Sequence, residues 1–331
     1  MTVVLRATMD QSLVALQRQL RALAPDIELL TDGEQPLERN TPDARPPRLV
    51  GAEVIEGGGM RARRVFGDPV VAFVAFLDGT QTSQVVAYVD GVPIVHGTVA
   101  AAVRIRRNRR LTTWQRPVVR RRLYGPRRAL SGEHERVLSS LGIDLVDTAA
   151  ASGDASSHPF ILRDQAVHRI QEDREQAERE LAERWCHLEH EPLFIDGGIS
   201  GSEKVAVAAC TVGVVKSHRT LYAEGEALQT IFALRRAERS SVFRVTSPKR
   251  IPVASWYLRL RDPVGHDPMW GLVRVEIANP ARIEEHDVGT RADTVSRWIL
   301  AEAAPLAMPD ARWDKMVYGI RDCEEFLRAV T

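Results

Sequence analysis

Two aspartates in this chain each close an apolar run and are each followed by glycine. Asp78-Gly79 follows the run Val70–Leu77, and Asp196-Gly197 follows Pro192–Ile195. Apolar runs rich in Val, Ile and Phe predict buried strands. A carboxylate at the end of a buried strand is costly unless a partner neutralises it. Two such carboxylates therefore predict a shared ligand, and divalent metal ions are the usual one.

A third acid is expected from the charged helix predicted over Arg163–Leu188, directly before the second aspartate. Glu178 adjoins the apolar stripe of this helix and is the preferred candidate, with Glu175 second and Glu180 third. Hydrolases with two metal ions use converging carboxylates to hold ions that activate water and stabilise the leaving oxygen. The alternative is that each Asp-Gly is only a turn and that the helix acids form a solvated face.

Lys216 ends a further apolar run, Val205–Val215, which follows the second Asp-Gly pair. A lysine at a strand end near carboxylates can contact a scissile phosphate or orient the attacking water. A lone strand-end lysine is otherwise a solvated charge. We predict that Lys216 belongs to the catalytic group together with Asp78, Glu178 and Asp196.

The segment Arg104–Arg128, called the arginine block below, holds eleven arginines and no acidic residue. Trp114 and Tyr124 are interleaved with them, and this combination suits contact with a phosphate backbone and stacking on bases. A solubilising surface loop or an acidic protein partner is the alternative. The predicted DNA-binding residues are Arg104, Arg106, Arg107, Arg109, Arg110, Arg120, Arg121 and Arg122.

The composition is that of a globular protein and excludes several functional classes. The 331 residues are 27% charged with a formal net charge of +1, so the overall balance favours no partner. No apolar run approaches the length of a membrane span, and the N-terminus lacks the form of a signal peptide. Three scattered cysteines show no metal spacing and no disulfide framework, which predicts a cytoplasmic protein. The absence of a phosphate-binding G-x-x-x-x-G-K-[ST] loop argues against a nucleotide motor.

The remaining patterns predict a mixed α/β fold. Strands are expected at Val70–Leu77, Gln84–Val89 and Val92–Arg104, with a hairpin turn at Asp90-Gly91. A late hairpin is expected from Trp256–Leu260 and Gly271–Ile277. The predicted organisation is an N-terminal helix and linker over 1–64, a core over 65–290 and a C-terminal helical region over 291–331. The leucine stripe of the first helix fits either packing on the core or docking to a partner.

Short segments spread over about 65–280 resemble the NurA nucleases, in the order in which that family has them. The matching pieces are Phe76–Thr80, the charged helix, Phe194–Gly197, Gly213–Ser217, Trp256–Leu260 and Val273–Glu276. The resemblance implies an RNase H-like fold and a DNA nuclease that depends on Mn²⁺ or Mg²⁺. It implies metal ligation by Asp78, a helix glutamate and Asp196, with Lys216 in the active-site region. It also implies a homodimer that acts with a HerA-type hexameric ATPase translocase in DNA end processing or phage defence.

Two rival interpretations remain. Phe-Leu-Asp78-Gly79-Thr80 is similar to the signature of aspartyl phosphatases of the haloacid dehalogenase type, but these need a nucleophilic aspartate where this chain has Phe76. The second rival is a DNA-binding or scaffolding subunit that has kept the fold and lost the chemistry. Such a subunit would not need Asp78, Asp196 and a helix glutamate to converge.

Overall fold

A computed structural model describes residues 13–23, 28–29, 47–149, 158–248, 250–279, 285–303, 315 and 317–331. The helices in this part of the chain are α1 Leu13–Leu23, α2 Gly132–Ser140, α3 Pro159–Leu188, α4 Glu203–Ala206, α5 Gly225–Phe232, α6 Glu285–Glu302 and α7 Tyr318–Val330. The strands are β1 Glu28–Leu29, β2 Arg48–Leu49, β3 Glu53–Val54, β4 Ala62–Arg64, β5 Ala75–Val89, β6 Val92–Arg107, β7 Arg110–Gly125, β8 Leu145–Asp147, β9 Leu193–Asp196, β10 Thr211–Val215, β11 Thr220–Leu221, β12 Glu238–Ser240, β13 Phe243–Val245, β14 Val253–Arg259 and β15 Leu272–Ala278.

One large mixed sheet organises the molecule. Its main path runs β3-β13-β14-β15-β10-β9-β5-β6-β7-β8. In its centre, β5, β6 and β7 are antiparallel neighbours, while β9 is parallel to both β5 and β10. The chain reaches β9 through the long helix α3, as a parallel connection requires. Three antiparallel strands followed by two parallel ones are consistent with an RNase H-like fold, so the predicted α/β class is confirmed.

The predicted first strand is wrong in its bounds. Val70 and Val71 are exposed, and the strand begins only at Ala75. It then continues as one element to Val89, so Asp78 lies inside β5 and not at its end. The polar stretch after Gly79 suggested a break, but β6 pairs with it residue by residue. Backbone hydrogen bonds between strands do not depend on apolar side chains, and so the polar stretch stays in the sheet.

Several other predicted elements are confirmed. Asp90-Gly91 forms the turn of the β5–β6 hairpin with φ angles of 50° and 78°, the left-handed conformation that such a turn requires. The charged helix is α3, which starts at a proline, a favourable first residue. The late hairpin is β14–β15. In Val205–Val215, only the part from Thr211 onward is a strand, because Val205 and Ala206 close the short helix α4.

Helices cover the two faces of the sheet. Ala177, Leu181 and Trp185 of α3 pack in the core on one face. The helices α6 and α7 cover the other face, where their apolar residues meet Phe76 and Phe194. The first helix packs on the molecule itself, because Leu16 and Leu20 of α1 are buried in a third apolar cluster. This packing favours the core-facing interpretation of its leucine stripe.

Residues before position 65 also contribute strands. β3 pairs with β13, β4 pairs with β12, and β2 pairs with β11. The predicted linker lies mostly within 30–46, outside the described residues. The proposed domain boundaries remain predictions. Within the described part of the chain, no helix combines the length and the apolar content needed to cross a bilayer.

Candidate metal centre

The two aspartates of the Asp-Gly pairs lie together because their strands are adjacent and parallel. Phe76 of β5 is in register with Phe194 of β9, which places Asp78 and Asp196 at equivalent positions two residues later. Residues two apart on a strand share a face of the sheet. Both phenylalanines pack against α6 and α7, so both aspartates emerge on the face that α7 covers.

A third acid on this face was not predicted from the sequence. Asp78, Asp196 and Glu324 each contribute one carboxylate oxygen to a group whose members lie within 4.8 Å of one another. Among the described residues, this is the cluster of three potential metal ligands. Glu324 comes from α7, and Arg328 of the same helix lies 3.7 Å from its carboxylate. Glu324 is one of several charges on an amphipathic helix, and only its neighbour Cys323, buried in the core, hints that this part of the helix faces the sheet.

Close packing fixes α7 above the aspartates. Gly319 lies directly against the ring of Phe76, where a side chain would collide with it. The Cys323 thiol donates a hydrogen bond to the Phe76 carbonyl oxygen at 3.2 Å. Arg104 Nε of β6 donates to Asp322 Oδ1 at 2.5 Å. These contacts fix α7 at Gly319, Asp322 and Cys323. They therefore also position Glu324, the residue that follows Cys323.

The environment of Asp78 opposes its ionisation. The residue is 7% exposed, and burial raises the pKa of its carboxyl well above the usual value. The negative charges of Asp196 and Glu178 raise this pKa further, while Lys216 lowers it. A smaller compensation than that of Lys216 comes from the backbone N–H of Gly79, which donates to Asp78 Oδ1 at 2.8 Å. Buried carboxyl groups with strongly perturbed pKa values are concentrated at functional sites, and a cation would offset the charge gathered here.

Glu178 approaches the same aspartates from the α3 side of the sheet. Its side chain passes over Gly79, and a Cβ at that position would lie 2.8 Å from Glu178 Cγ. Burial raises the pKa of Glu178 to about 7, and an ion pair with Arg174, one turn earlier on α3, only partly offsets this rise. Glu178 lies outside the group of oxygens within 4.8 Å, but its charge still acts on Asp78. Its metal-binding role remains a prediction.

The two alternative helix acids differ in position. Glu175 lines the same cleft as Glu178 and Asp196 and accepts a hydrogen bond from Gln171 at 3.1 Å. Glu180 points to the arginine block and pairs with Arg120 at 2.5 Å. Of the three candidates, Glu180 is therefore the one whose carboxylate is paired with the arginine block and not directed to the cleft.

Lys216 meets the second aspartate. It follows β10, which is parallel to β9, and its Nζ donates to Asp196 Oδ2 at 2.7 Å. Both side chains are largely shielded from solvent, with exposed fractions of 12% and 17%. The sequence-predicted residues Asp78, Glu178, Asp196 and Lys216 therefore form one neighbourhood, to which the structure adds Glu324.

The arginine block forms the β6–β7 hairpin and divides into two parts. Its turn, at Asn108 and Arg109, has positive φ angles of 51° and 62°. Around the turn the guanidinium groups are exposed, and this exposed set is Arg107, Arg109, Arg110 and Arg116. The arginines farther from the turn contact protein groups of other elements, with the pairs Arg104–Asp322, Arg106–Glu302, Arg120–Glu180, Arg122–Asp173 and Arg121 with the Val330 carbonyl.

The donor set fits a divalent metal ion. Carboxylate oxygens are the ligands that Mg²⁺ and Mn²⁺ favour, and here they come from three different elements held rigidly by the sheet and α7. Without a cation, the site concentrates negative charge where water is largely excluded, which is unfavourable. The raised pKa of Asp78 is the direct expression of that cost.

No protein-family model matches the chain, and no curated protein sequence matches it.

Proposed function

We propose that this protein is a DNA nuclease that depends on Mn²⁺ or Mg²⁺ and hydrolyses phosphodiester bonds. The observation that carries the proposal is the convergence of Asp78, Asp196 and Glu324, with Glu178 beside them, on an RNase H-like sheet. Converging carboxylates on this kind of scaffold suit phosphoryl chemistry. The resemblance of the Asp-Gly strands and their companions to NurA nucleases points to the same function.

Asp78 and Asp196 would hold the metal, with Glu178 and Glu324 as the further carboxylates. A bound divalent ion supplies activation of water and stabilisation of the negative charge on the leaving oxygen. Lys216 holds the Asp196 carboxylate in place through its hydrogen bond. A cation that neutralised that carboxylate would leave the lysine ammonium available to a phosphate oxygen of the substrate. Arg174 restrains the Glu178 side chain in the same way.

The convergence of the acids weighs against the inactive scaffolding alternative, since a scaffold has no use for a costly buried acid group. The phosphatase alternative lacks its nucleophile, because the position two residues before Asp78 is Phe76, which is fully buried in the core. The exposed arginines at the tip of the β6–β7 hairpin, Arg107, Arg109 and Arg110, remain candidates for contact with the DNA backbone.

The proposed setting follows from the resemblance to NurA alone. There the protein would be a cytoplasmic homodimer that works with a HerA-type hexameric ATPase translocase. DNA end processing and phage defence are both compatible with such a complex.

An assay with purified protein tests the proposed activity. Linear duplex, circular duplex and single-stranded DNA are incubated with the protein in Mn²⁺, in Mg²⁺ and in EDTA. We expect degradation of at least one DNA form with Mn²⁺ or Mg²⁺ and none in EDTA, and no degradation by Asp196→Ala. Degradation that persists in EDTA or in this variant would contradict a nuclease built on these carboxylates.

A further inference from the structure

A cleft opens beside the candidate metal centre on the α3 side of the sheet. It has a volume of about 210 Å³ and lies between α3, the loop after β9 and the turn before β14. Asp196 belongs both to this cleft and to the group of oxygens that includes Asp78 and Glu324. The cleft therefore leads from solvent to the carboxylates that would hold the metal ion.

The loop after β9 leaves room for a ligand in this cleft. Gly197 and Gly201 carry no side chain, and a Cβ at either would meet no atom within 4 Å. Below them, Gly213 of β10 lets the loop lie directly on the sheet, because a Cβ there would lie 2.7 Å from the Gly197 carbonyl oxygen. The glycines therefore leave the bottom of the cleft free of side chains.

Two arginines line the cleft without a direct ion pair to an acidic side chain among the described residues. Arg250 is exposed, and its Nη1 donates a hydrogen bond to Ser200 Oγ at 3.4 Å. Arg179 of α3 is half-buried and forms no hydrogen bond and no direct ion pair with any residue of the described ranges, although its positive charge lowers the pKa of Glu183, one turn farther along the helix. The third cleft arginine, Arg174, is instead paired with Glu178. The cleft thus presents two guanidinium groups whose donors are available to a ligand.

The local backbone positions Arg250 toward the cleft. The N–H of Arg250 donates to the Ser247 carbonyl at 3.1 Å, and the N–H of Ile251 donates to the Ser200 carbonyl at 3.0 Å. On the opposite wall, the Ser202 hydroxyl donates to Glu183 of α3 at 2.6 Å. These bonds connect both walls to the loop after β9, so the two arginines face a cleft whose width is fixed.

Charge decides which ligand this arrangement suits. If divalent cations neutralised Asp196 and Glu178, the three arginines of the cleft would outnumber its remaining acid, Glu175, and the cleft would carry a net positive charge. Arginine presents a planar set of donors that matches the oxygens of a phosphate. The main alternative path for a nucleic acid, the arginine block, has most of its arginines away from the turn already paired with Asp322, Glu302, Glu180 and Asp173.

We propose that Arg179 and Arg250 bind a backbone phosphate next to the scissile bond, so that the substrate strand enters the metal centre through this cleft. This inference rests on the proposed nuclease function. It assigns the cleft arginines, and not the paired arginines of the β6–β7 hairpin, to the strand that is cut.

Binding of a fluorescein-labelled oligonucleotide, single-stranded and as a duplex, tests the inference. The measurement is made in Ca²⁺, which occupies carboxylate sites but is a poor catalyst of hydrolysis. Arg179→Ala/Arg250→Ala is compared with wild type and with Arg235→Ala/Arg236→Ala, a matched control that removes two exposed positive charges outside the cleft and outside the arginine block. Thermal melting of all three proteins verifies folding.

We expect the cleft variant to lose about tenfold in affinity for each arginine removed, the usual loss for a hydrogen bond to a charged group. Because the two arginines share one phosphate, the slope of log affinity against log salt should become shallower by about 0.7 for single-stranded DNA or about 0.9 for the duplex, while the control changes little. Equal behaviour of the two double variants, or no binding of either DNA by wild type, would overturn the inference. Mn²⁺-dependent cleavage is measured in parallel, so that cleavage retained with unchanged binding would overturn the cleft assignment and leave the nuclease function standing.

Discussion

Replacing Glu178 by glutamine should make the metal-free protein more stable at pH 8 while it damages the site. The pKa of Glu178 rises from 4.5 to about 7 because the side chain is buried. One pKa unit corresponds to about 1.4 kcal/mol, so keeping this group ionised in the folded state costs roughly 3 kcal/mol. The attraction of Arg174 is already contained in that pKa, and the amide oxygen of glutamine can still accept a bond from it.

The sign of the effect follows from the raised pKa. The stability that a protonated Glu178 contributes is fully present below about pH 4.5 and is lost as the pH rises through about 7. Wild type should therefore lose stability relative to Glu178→Gln between pH 5 and pH 8. At pH 8 the variant should melt higher by roughly 5 °C, and at pH 5 the two proteins should melt together.

Thermal melting in EDTA at several pH values measures this difference. Glu175→Gln, one turn earlier on α3, removes only one of the charges that raise the pKa of Glu178 and should therefore give a smaller gain at pH 8 than Glu178→Gln. Adding Mn²⁺ should remove most of the difference at pH 8, since an ion bound only by the folded state stabilises wild type by about 2.7 kcal/mol at a hundred times its Kd. A variant that melts no higher than wild type in EDTA at pH 8 would refute the argument.

Three further variants test neighbouring parts of the site. Glu324→Gln should weaken Mn²⁺ binding at least about tenfold in calorimetry while the melting temperature in EDTA does not fall; unchanged affinity would remove α7 from the metal site. Gly79→Ala should lower the free energy of unfolding, measured with denaturant, by about 1–3 kcal/mol, because its methyl group would displace Glu178. An unchanged free energy of unfolding would show that the glutamate is free to move. Arg104→Ala removes the ion pair with Asp322 and should increase hydrogen exchange in α7; equal protection of α7 in both proteins would contradict its anchoring role.

Local patterns in the sequence predicted those parts of the fold that depend on neighbouring residues. The Asp90-Gly91 hairpin and the helix before Asp196 have strong local signals, and both are in the structure. The strand that carries Asp78 was predicted too short, because its polar second half is held by pairing with β6 and not by its own hydrophobicity. Cross-strand pairing joins residues far apart in the chain and leaves no periodic signal of its own.

In the candidate site, too, residues with a local sequence signal could be predicted and residues placed by long-range packing could not. Asp78 and Asp196 were recognisable because each acid directly follows an apolar run, and such an acid needs compensation. Glu324 was not recognisable, because it reaches the aspartates only through the packing of α7 against Phe76. The paired arginines of the block could not be distinguished from the exposed ones either. Their acidic partners, such as Glu302 and Asp322, lie about 200 residues away in the chain.

The most direct test of the central claim is the rate of linear DNA cleavage against Mn²⁺ concentration for wild type and Asp78→Asn. Asparagine keeps the shape of the side chain, and it removes the charge that the buried site would use to bind the ion. We expect saturable, Mn²⁺-dependent cleavage by wild type and a loss of about a thousandfold or more in the variant, with the fold intact by circular dichroism. Cleavage by Asp78→Asn at the wild-type rate would contradict it.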